Sequence, residues 1–165
     1  HVNDINPFRV KVLKKRFEKL NIKNEIKLFN NKKKFENYFD LILLDVPCSG
    51  SGVWRRKPEN LVKLDTAKYK KNLITQKKLL KEVTKYCKKD GLISYITCSL
   101  FEDENESQII DFLNENKAFK VLNINIKLNS ALKNFTLKKT YKWFNITPTH
   151  MKTDSFFICL LKKYD

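Results

Sequence analysis

Apolar residues recur along this chain at two spacings, and their alternation predicts its elements. Between residues 10 and 20 they recur every three or four positions, which is the repeat of one helical face. Asn6 and Pro7 precede this segment as a capping side chain and a first-turn proline, so a helix is predicted to begin there. The predominantly apolar run from Phe39 to Val46 is typical of a strand buried on both faces of a parallel sheet.

The remainder of the chain continues the alternation. The predicted elements are a strand end at Val2 to Ile5, a short strand at Ile26 to Leu28, a helix from about Thr66 to Lys88, a strand from Leu92 to Thr97, a helix from about Asp103 to Asn116, and two strands, Val121 to Ile126 and Phe156 to Leu161. Asp90 and Gly91 are expected to end the long helix, which has Cys87 on its inward face. Strands alternating with long helices predict one α/β domain over residues 1–165, with a mostly parallel sheet and helices on both faces.

The charge balance of the chain indicates the class of partner that it binds. The chain has 34 Lys and Arg against 18 Asp and Glu, a net charge of +16, which favours a polyanionic partner such as nucleic acid. A basic surface without a ligand is the alternative. No apolar run approaches the roughly 18 residues of a membrane span, so a cytoplasmic protein without membrane contact is expected. A monomer is expected as well. Because the chain begins at His1 in a strand-like segment, we expect it to be the later part of a longer protein.

The four cysteines need individual explanations. They stand at positions 48, 87, 98 and 159 with no CxxC pair, and the sequence has two histidines, so neither a metal site nor a disulfide framework is expected. Cys87 and Cys159 lie on core-facing positions. Cys48 and Cys98 each follow a predicted strand.

Ligands of parallel α/β sheets bind beyond the carboxyl ends of the strands, and three predicted strands end in reactive residues. The first ends at Asp4, the next long one at Asp45 and Cys48, and the following one at Cys98. If the last two strands are neighbours, their backbones lie ~4.8 Å apart, and the two thiols rise on either side of one small space. That arrangement indicates thiol chemistry on a substrate, although most free cysteines are small buried hydrophobes.

The loop after Asp45 holds two of the three glycines of the chain. Gly50 and Gly52 permit backbone angles closed to other residues, so this loop can approach a flat ligand closely. Arg55, Arg56 and Lys57 follow, beside Trp54, a combination suited to phosphates and unpaired bases of RNA. A tight turn with a basic exit is the alternative.

Two segments together carry a family resemblance. DVPCSGSGVWRRKPE (Asp45 to Glu59) and GLISYITCSLFEDENESQI (Gly91 to Ile109) resemble the signature pair of the RsmB/Sun family of RNA cytosine-5 methyltransferases, which use S-adenosyl-L-methionine. NDIN with Arg9, and the segment from Thr147 to Lys163, resemble the ribose-binding strand end and the closing strand of that family. The resemblance implies a Rossmann-like class I methyltransferase fold.

The resemblance also implies a mechanism. Cytosine C5 is a poor nucleophile, so a thiolate first adds at C6, and the family uses the thiol of its Thr-Cys-Ser element, here Cys98. Cys48 would then assist removal of the C5 proton and release of the enzyme, and Asp45 would hydrogen-bond the cytosine edge. A helix dipole and nearby basic residues are expected to lower the pKa of Cys98. The sequence by itself does not decide which thiol attacks.

For the cofactor, the resemblance points to three residues and to one missing element. Asp4 would bind the ribose hydroxyls, Asn30 the adenine amino group, and Asp45 would also lie against the cofactor. The first strand of the fold and its Gly-rich loop are missing, so the isolated 165-residue chain is expected to bind the cofactor poorly and to be inactive. The expected substrate is ribosomal RNA, 16S first, with tRNA as an alternative.

Two other functions are alternatives for the same residues. An amino-methyltransferase would have a second proline and an aromatic after Asp45, which DVPC lacks. A non-catalytic, basic RNA-binding fragment fits the charge, but such a fragment has no use for two strand-end cysteines beside an acid.

Overall fold

The computed structural model describes residues 4, 6–21, 32–123, 142–147 and 153–165. The chain divides into two compact units, His1–Glu36 and Asn37–Asp165. Among the residues so described, no helix combines the length and the hydropathy that a membrane span requires.

The first unit contains the predicted N-terminal helix, α1, Pro7–Lys19. Its start follows from the sequence: the Asn6 side-chain oxygen accepts a hydrogen bond from the Phe8 N–H at 2.9 Å, and Pro7 occupies the first turn. Val10 is the buried residue of its apolar face. A short 3-10 helix, Lys32–Phe35, follows. The predicted strand at Ile26 to Leu28 lies outside the described residues, as does most of the one at Val2 to Ile5.

The second unit is a sheet with helices packed on it. Its described strands are β1 Phe39–Asp45, β2 Cys87–Thr97, β3 Phe119–Val121, β4 Phe144–Ile146 and β5 Phe156–Lys163. Its described helices are α2 Glu59–Val62, α3 Thr66–Val83 and α4 Glu106–Glu115, with short 3-10 helices at Ser51–Val53 and Glu102–Glu104. The sheet order is β1-β2-β5-β3, and β4 also pairs with β5. β1 and β2 are parallel, whereas β5 runs antiparallel to all its described neighbours, so this part of the sheet is mixed.

The core lies between the sheet and the helices α3 and α4. Leu80 of α3, Ile109 of α4 and Ile93 of β2 are buried together, with the cysteines predicted to be core residues, Cys87 and Cys159. The prediction that β1 is buried on both faces is wrong. Leu44 belongs to the core and Ile42 packs against it, but Leu41 and Leu43 are 52% and 68% exposed.

The boundary between α3 and β2 also differs from the prediction. The helix ends at Val83, and Cys87 begins β2, where it pairs with Phe39 instead of lying on the helix. Asp90 has a left-handed φ of 62°, and a Cβ on Gly91 would lie 2.9 Å from the Cys87 Sγ. The Asp90-Gly91 pair therefore marks a distortion within the strand, where the pairing with β1 shifts register, and not the end of a helix.

Candidate active site

The two strands that precede Cys48 and Cys98 lie side by side and end at the same edge. β1 and β2 are parallel, and Asp45 pairs with Ile96 at the end of the ladder. Their carboxyl ends bring the following loops together, so that the Sγ atoms of Cys48 and Cys98 lie 3.4 Å apart. Both side chains are half-buried.

This convergence was predicted, but its geometry is tighter than expected. At 3.4 Å the two sulfur atoms are in direct contact, with hydrogen-bond geometry between them. No ring-sized space separates them, so a pyrimidine that reacts here must lie over the pair and not between its members. Both thiols can then approach the same ring from one side.

The contact shifts the pKa values of the two thiols in opposite directions. A hydrogen bond from Cys48 lowers the pKa of Cys98 to about 7, against opposing effects of burial and of the charges of Asp45 and Glu104. The same interaction, together with burial, raises the pKa of Cys48 well above its ordinary value. The predicted direction for Cys98 is confirmed. The main cause of the lowered pKa is the second thiol, and not the expected helix dipole and basic residues; α4 begins only at Glu106.

This division predicts a pH profile. In the full-length protein, alkylation of Cys98 by iodoacetamide should have a midpoint near pH 7, because the reactive form is the thiolate. Cys48→Ala removes the donor and should move the midpoint up towards the ordinary thiol value of about 8.5. Cys48→Ser keeps a hydroxyl donor and should give a midpoint between the two. The measurement is alkylation rate against pH, resolved by peptide mass spectrometry; an unchanged midpoint in Cys48→Ala contradicts the assignment.

The glycines of the first loop serve its packing. Gly50 has a φ of +69°, a conformation that favours glycine. A Cβ on Gly52 would lie 2.5 Å from the Ser155 Cβ and 2.7 Å from the Cys98 carbonyl oxygen. The Gly52 N–H donates to that carbonyl oxygen at 2.9 Å. At Gly52, therefore, the backbone that was predicted to lie close to a flat ligand lies close to the loop that follows β2.

A buried polar network, which was not predicted from the sequence, joins the two loops. The hydroxyls of Ser49, Ser51 and Ser99 lie 3.2 Å from one another. The fully buried carboxylate of Glu104 accepts hydrogen bonds from the N–H and the hydroxyl of Ser49, at 2.8 and 2.5 Å. Asn105 donates to the Ser99 carbonyl oxygen at 3.0 Å. The Glu-Asn-Glu end of the second signature segment was the available signal, since two of its residues belong to this network.

The three basic residues that follow the first loop, Arg55, Arg56 and Lys57, differ in their contacts. Arg55 and Lys57 are exposed. Arg56 is also exposed but forms an ion pair with Asp154 at 2.5 Å, which ties the loop to the segment before β5. Trp54 packs edge to face against Phe101, with ring centroids 5.8 Å apart. Arg55 and Lys57 are therefore the better placed to contact a phosphate.

The remaining predicted residues are spread over the chain. Asp45 is exposed at the end of β1, on the edge where the thiols meet. Asp4 belongs to the first unit, where its Oδ1 accepts from the Asn6 N–H at 2.7 Å and its Oδ2 lies 3.7 Å from the Arg9 guanidinium. Asn30 lies outside the described residues. In the described part of the chain, no group of three His, Cys, Asp or Glu side chains could hold a metal ion.

Comparison with known proteins places this site in a family. Residues 1–162 match the family described as 16S rRNA methyltransferase RsmB/F. The ribosomal RNA small subunit methyltransferase B of Photorhabdus laumondii is 34% identical over 122 residues, which are 72% of this chain and 28% of that protein. The chain thus spans less than a third of that relative's length.

Solved structures agree with the fold. The crystal structure of PH0851 superposes with a TM-score of 0.83 at 28% identity, over 97% of this chain and 36% of that one. A methyltransferase homologue from Pyrococcus horikoshii gives a TM-score of 0.71 at 24% identity, over 97% and 52% of the two chains. These likenesses confirm the predicted class I methyltransferase fold. With the match over nearly the whole sequence, they establish that this chain belongs to the RsmB/F family of rRNA methyltransferases.

Proposed function

We propose that this chain is the catalytic part of an RNA cytosine-5 methyltransferase that modifies ribosomal RNA, with 16S rRNA as the first candidate. The observation that supports this most directly is the 3.4 Å contact between Cys48 Sγ and Cys98 Sγ at the ends of two parallel strands. A methyltransferase acting on an amino group or a hydroxyl needs no such pair. A carbon acceptor as unreactive as cytosine C5 needs a thiolate that adds at C6, and a second thiol beside it can assist the later proton removal.

The proposed reaction begins with Cys98, the thiol with the lowered pKa. Its thiolate adds to C6 of the cytosine, so an S–C6 bond forms and the electron pair of the C5–C6 double bond becomes available at C5. Asp45 hydrogen-bonds the N3/N4 edge and stabilises the charge distribution of the addition. S-adenosyl-L-methionine, when bound, supplies the methyl group that C5 takes up.

Cys48 has the second role. Its pKa is raised chiefly by its hydrogen bond to Cys98, and that cause disappears once Cys98 has become a neutral thioether. Cys48 can then lose its proton to solvent and remove the C5 proton. The electron pair of the C5–H bond restores the C5–C6 double bond, and Cys98 leaves as a thiolate. One contact therefore accounts for the order in which the two thiols act.

The described residues are compatible with the cofactor. The Asp4 side chain is 29% exposed, and among the described residues its Oδ2 has the 3.7 Å contact with Arg9 alone, so lone pairs remain for ribose hydroxyls. We propose Asp4 and Asn30, with Asp45, as the residues of this chain that bind S-adenosyl-L-methionine. The protein is proposed to act as a cytoplasmic monomer without a metal ion.

The test is methyl transfer by the full-length protein from labelled S-adenosyl-L-methionine to ribosomal RNA that lacks the modification, with bisulfite sequencing to find the modified base. We expect label in 16S rRNA and one protected cytosine. Label in tRNA would show that tRNA, and not 16S rRNA, is the substrate. RNA binding without any transfer would favour the non-catalytic alternative.

The basic residues beside the site give a separate prediction for RNA affinity. A plot of log affinity against log salt concentration has a negative slope. Arg55→Gln and Lys57→Gln should each make that slope shallower by about 0.7, because each removes one phosphate contact on a single strand. Lys89→Gln is the matched control, since Lys89 is exposed near the opposite end of β2. Filter binding at several salt concentrations measures the slopes. Equal slopes for all three variants would remove Arg55 and Lys57 from the RNA interface.

A further inference from the structure

The residues on both sides of Cys48 are held by two buried side chains that the proposed reaction does not use. Gln76 of α3 donates to the Pro47 carbonyl oxygen at 2.9 Å and to Glu104 Oε1 at 3.1 Å. Glu104 accepts from the Ser49 N–H and the Ser49 hydroxyl. The backbone groups immediately before and after Cys48 are thus fixed by one connected pair, Gln76 and Glu104, which we call the buried clamp.

Such a pair is costly to bury. Gln76 and Glu104 are both 0% exposed. In the part of the chain that the structure describes, Glu104 has no ion-pair partner, and the Gln76 side-chain oxygen has no hydrogen-bond partner. Apolar residues of similar size would fill such a core position more favourably. The presence of polar side chains at these core positions is therefore best explained by their hydrogen bonds to Pro47 and Ser49.

We infer that Gln76 and Glu104 are positioning residues, which keep the Cys48 thiol within hydrogen-bond reach of Cys98 by fixing Pro47 and Ser49. This inference rests on the proposed function for the roles of the two thiols. It adds the element that sets their distance: α3 supplies one half of the buried clamp, and the 3-10 helix after β2 supplies the other. Neither residue touches the substrate in this account.

The two halves of the buried clamp differ in how cleanly they can be tested. Cys98 faces Cys48, and the negative charges of Asp45 and Glu104 act on it as well. Removing the charge of Glu104 would lower the pKa of Cys98 directly while loosening Ser49, so two opposite effects would be mixed. Gln76 is neutral, and Gln76→Met keeps the side-chain length while removing both donors. A shift in that variant reports geometry alone.

The experiment measures Cys98 alkylation against pH in the full-length protein. Gln76→Met should raise the midpoint by about one pH unit, because the Cys48 donor is no longer held in place. In a Cys48→Ala background the same substitution should cause no further rise, since the buried clamp acts through Cys48. Gln108→Met is the control: Gln108 is a half-buried glutamine of α4 that donates to two backbone oxygens, those of Leu73 and Asp103.

Two outcomes overturn the inference: a wild-type midpoint in Gln76→Met, or an equal shift with and without Cys48. If Gln76→Met does not fold, Ser49→Ala is the second variant: it removes the hydroxyl contacts with Glu104, Ser51 and Ser99 and leaves the Ser49 N–H bonded to Glu104. It should give a smaller upward shift of the midpoint that likewise disappears without Cys48, and no shift there overturns the inference as well. Because alkylation requires no RNA, these results are independent of methyl transfer. A wild-type protein that shows the expected shifts but transfers no methyl group would refute the proposed function alone.

Discussion

Cys98→Ala should abolish methyl transfer in the full-length protein, with a loss of about 10³-fold or more, and should form no covalent complex with RNA. The reason is that no other described thiol except Cys48 lies near the reaction edge, and the pKa of Cys48 is raised where that of Cys98 is lowered. Transfer from labelled cofactor, together with denaturing gels of the protein–RNA mixture, measures both quantities.

Cys48→Ala provides the contrasting result. In the proposed reaction this variant retains the nucleophile but lacks the group that removes the C5 proton, so the covalent complex should form and then persist. Loss of the complex in Cys48→Ala, with the complex persisting in Cys98→Ala, would reverse the two roles. Cys159→Ala is the control for removal of a thiol as such, because Cys159 is buried in the core on β5.

Asp45→Asn should lower kcat by about 10²- to 10³-fold, the range found when one preorganised group of this kind is removed. The substitution should change two rates in opposite directions: alkylation of Cys98 should become faster, and methyl transfer should become slower. The Asp45 charge raises the pKa of Cys98, so Asn at this position should increase the thiolate fraction at pH 7 and speed alkylation. Methyl transfer should nevertheless fall, because Asp45 is proposed to be the charged partner of the cytosine edge.

Alkylation and single-turnover methylation of the same preparation test this pair of effects. Asp40→Asn is the matched control, since it is the same substitution near the start of β1, where the Asp40 side chain is 85% exposed and pairs with Lys88. A parallel fall in both rates for Asp45→Asn would indicate damage to the site, and unchanged methylation would exclude Asp45 from the reaction.

The meeting of Cys48 and Cys98 could be predicted because it depends on one topological relation. Two successive strands of an α/β sheet tend to be neighbours and to end at one edge, and the structure has β1 and β2 paired in parallel. The helix starts were also predictable, since Asn6 and Asp65 cap α1 and α3 through purely local contacts. Local chemistry and topology thus account for the frame of the site.

What could not be predicted depends on contacts between distant segments. Cys87 follows a long helical pattern, yet its pairing with Phe39 across the sheet draws it into β2. Arg56 has the composition of a phosphate-binding residue, and its partner Asp154 lies almost a hundred positions later. Glu104 is one of several acids in its segment, and only the folded chain distinguishes it as the one that reaches Ser49.

The most direct test of the account is to trap the covalent step on RNA in which 5-fluorocytidine replaces cytidine at the modified position. A C5–F bond has no proton to lose, so the adduct formed after methylation cannot be resolved. With the full-length protein and S-adenosyl-L-methionine, we expect a stable complex whose peptide mass spectrum locates the nucleotide on Cys98. A nucleotide attached to Cys48, or the absence of any covalent complex from a protein that methylates normal RNA, would contradict the central claim.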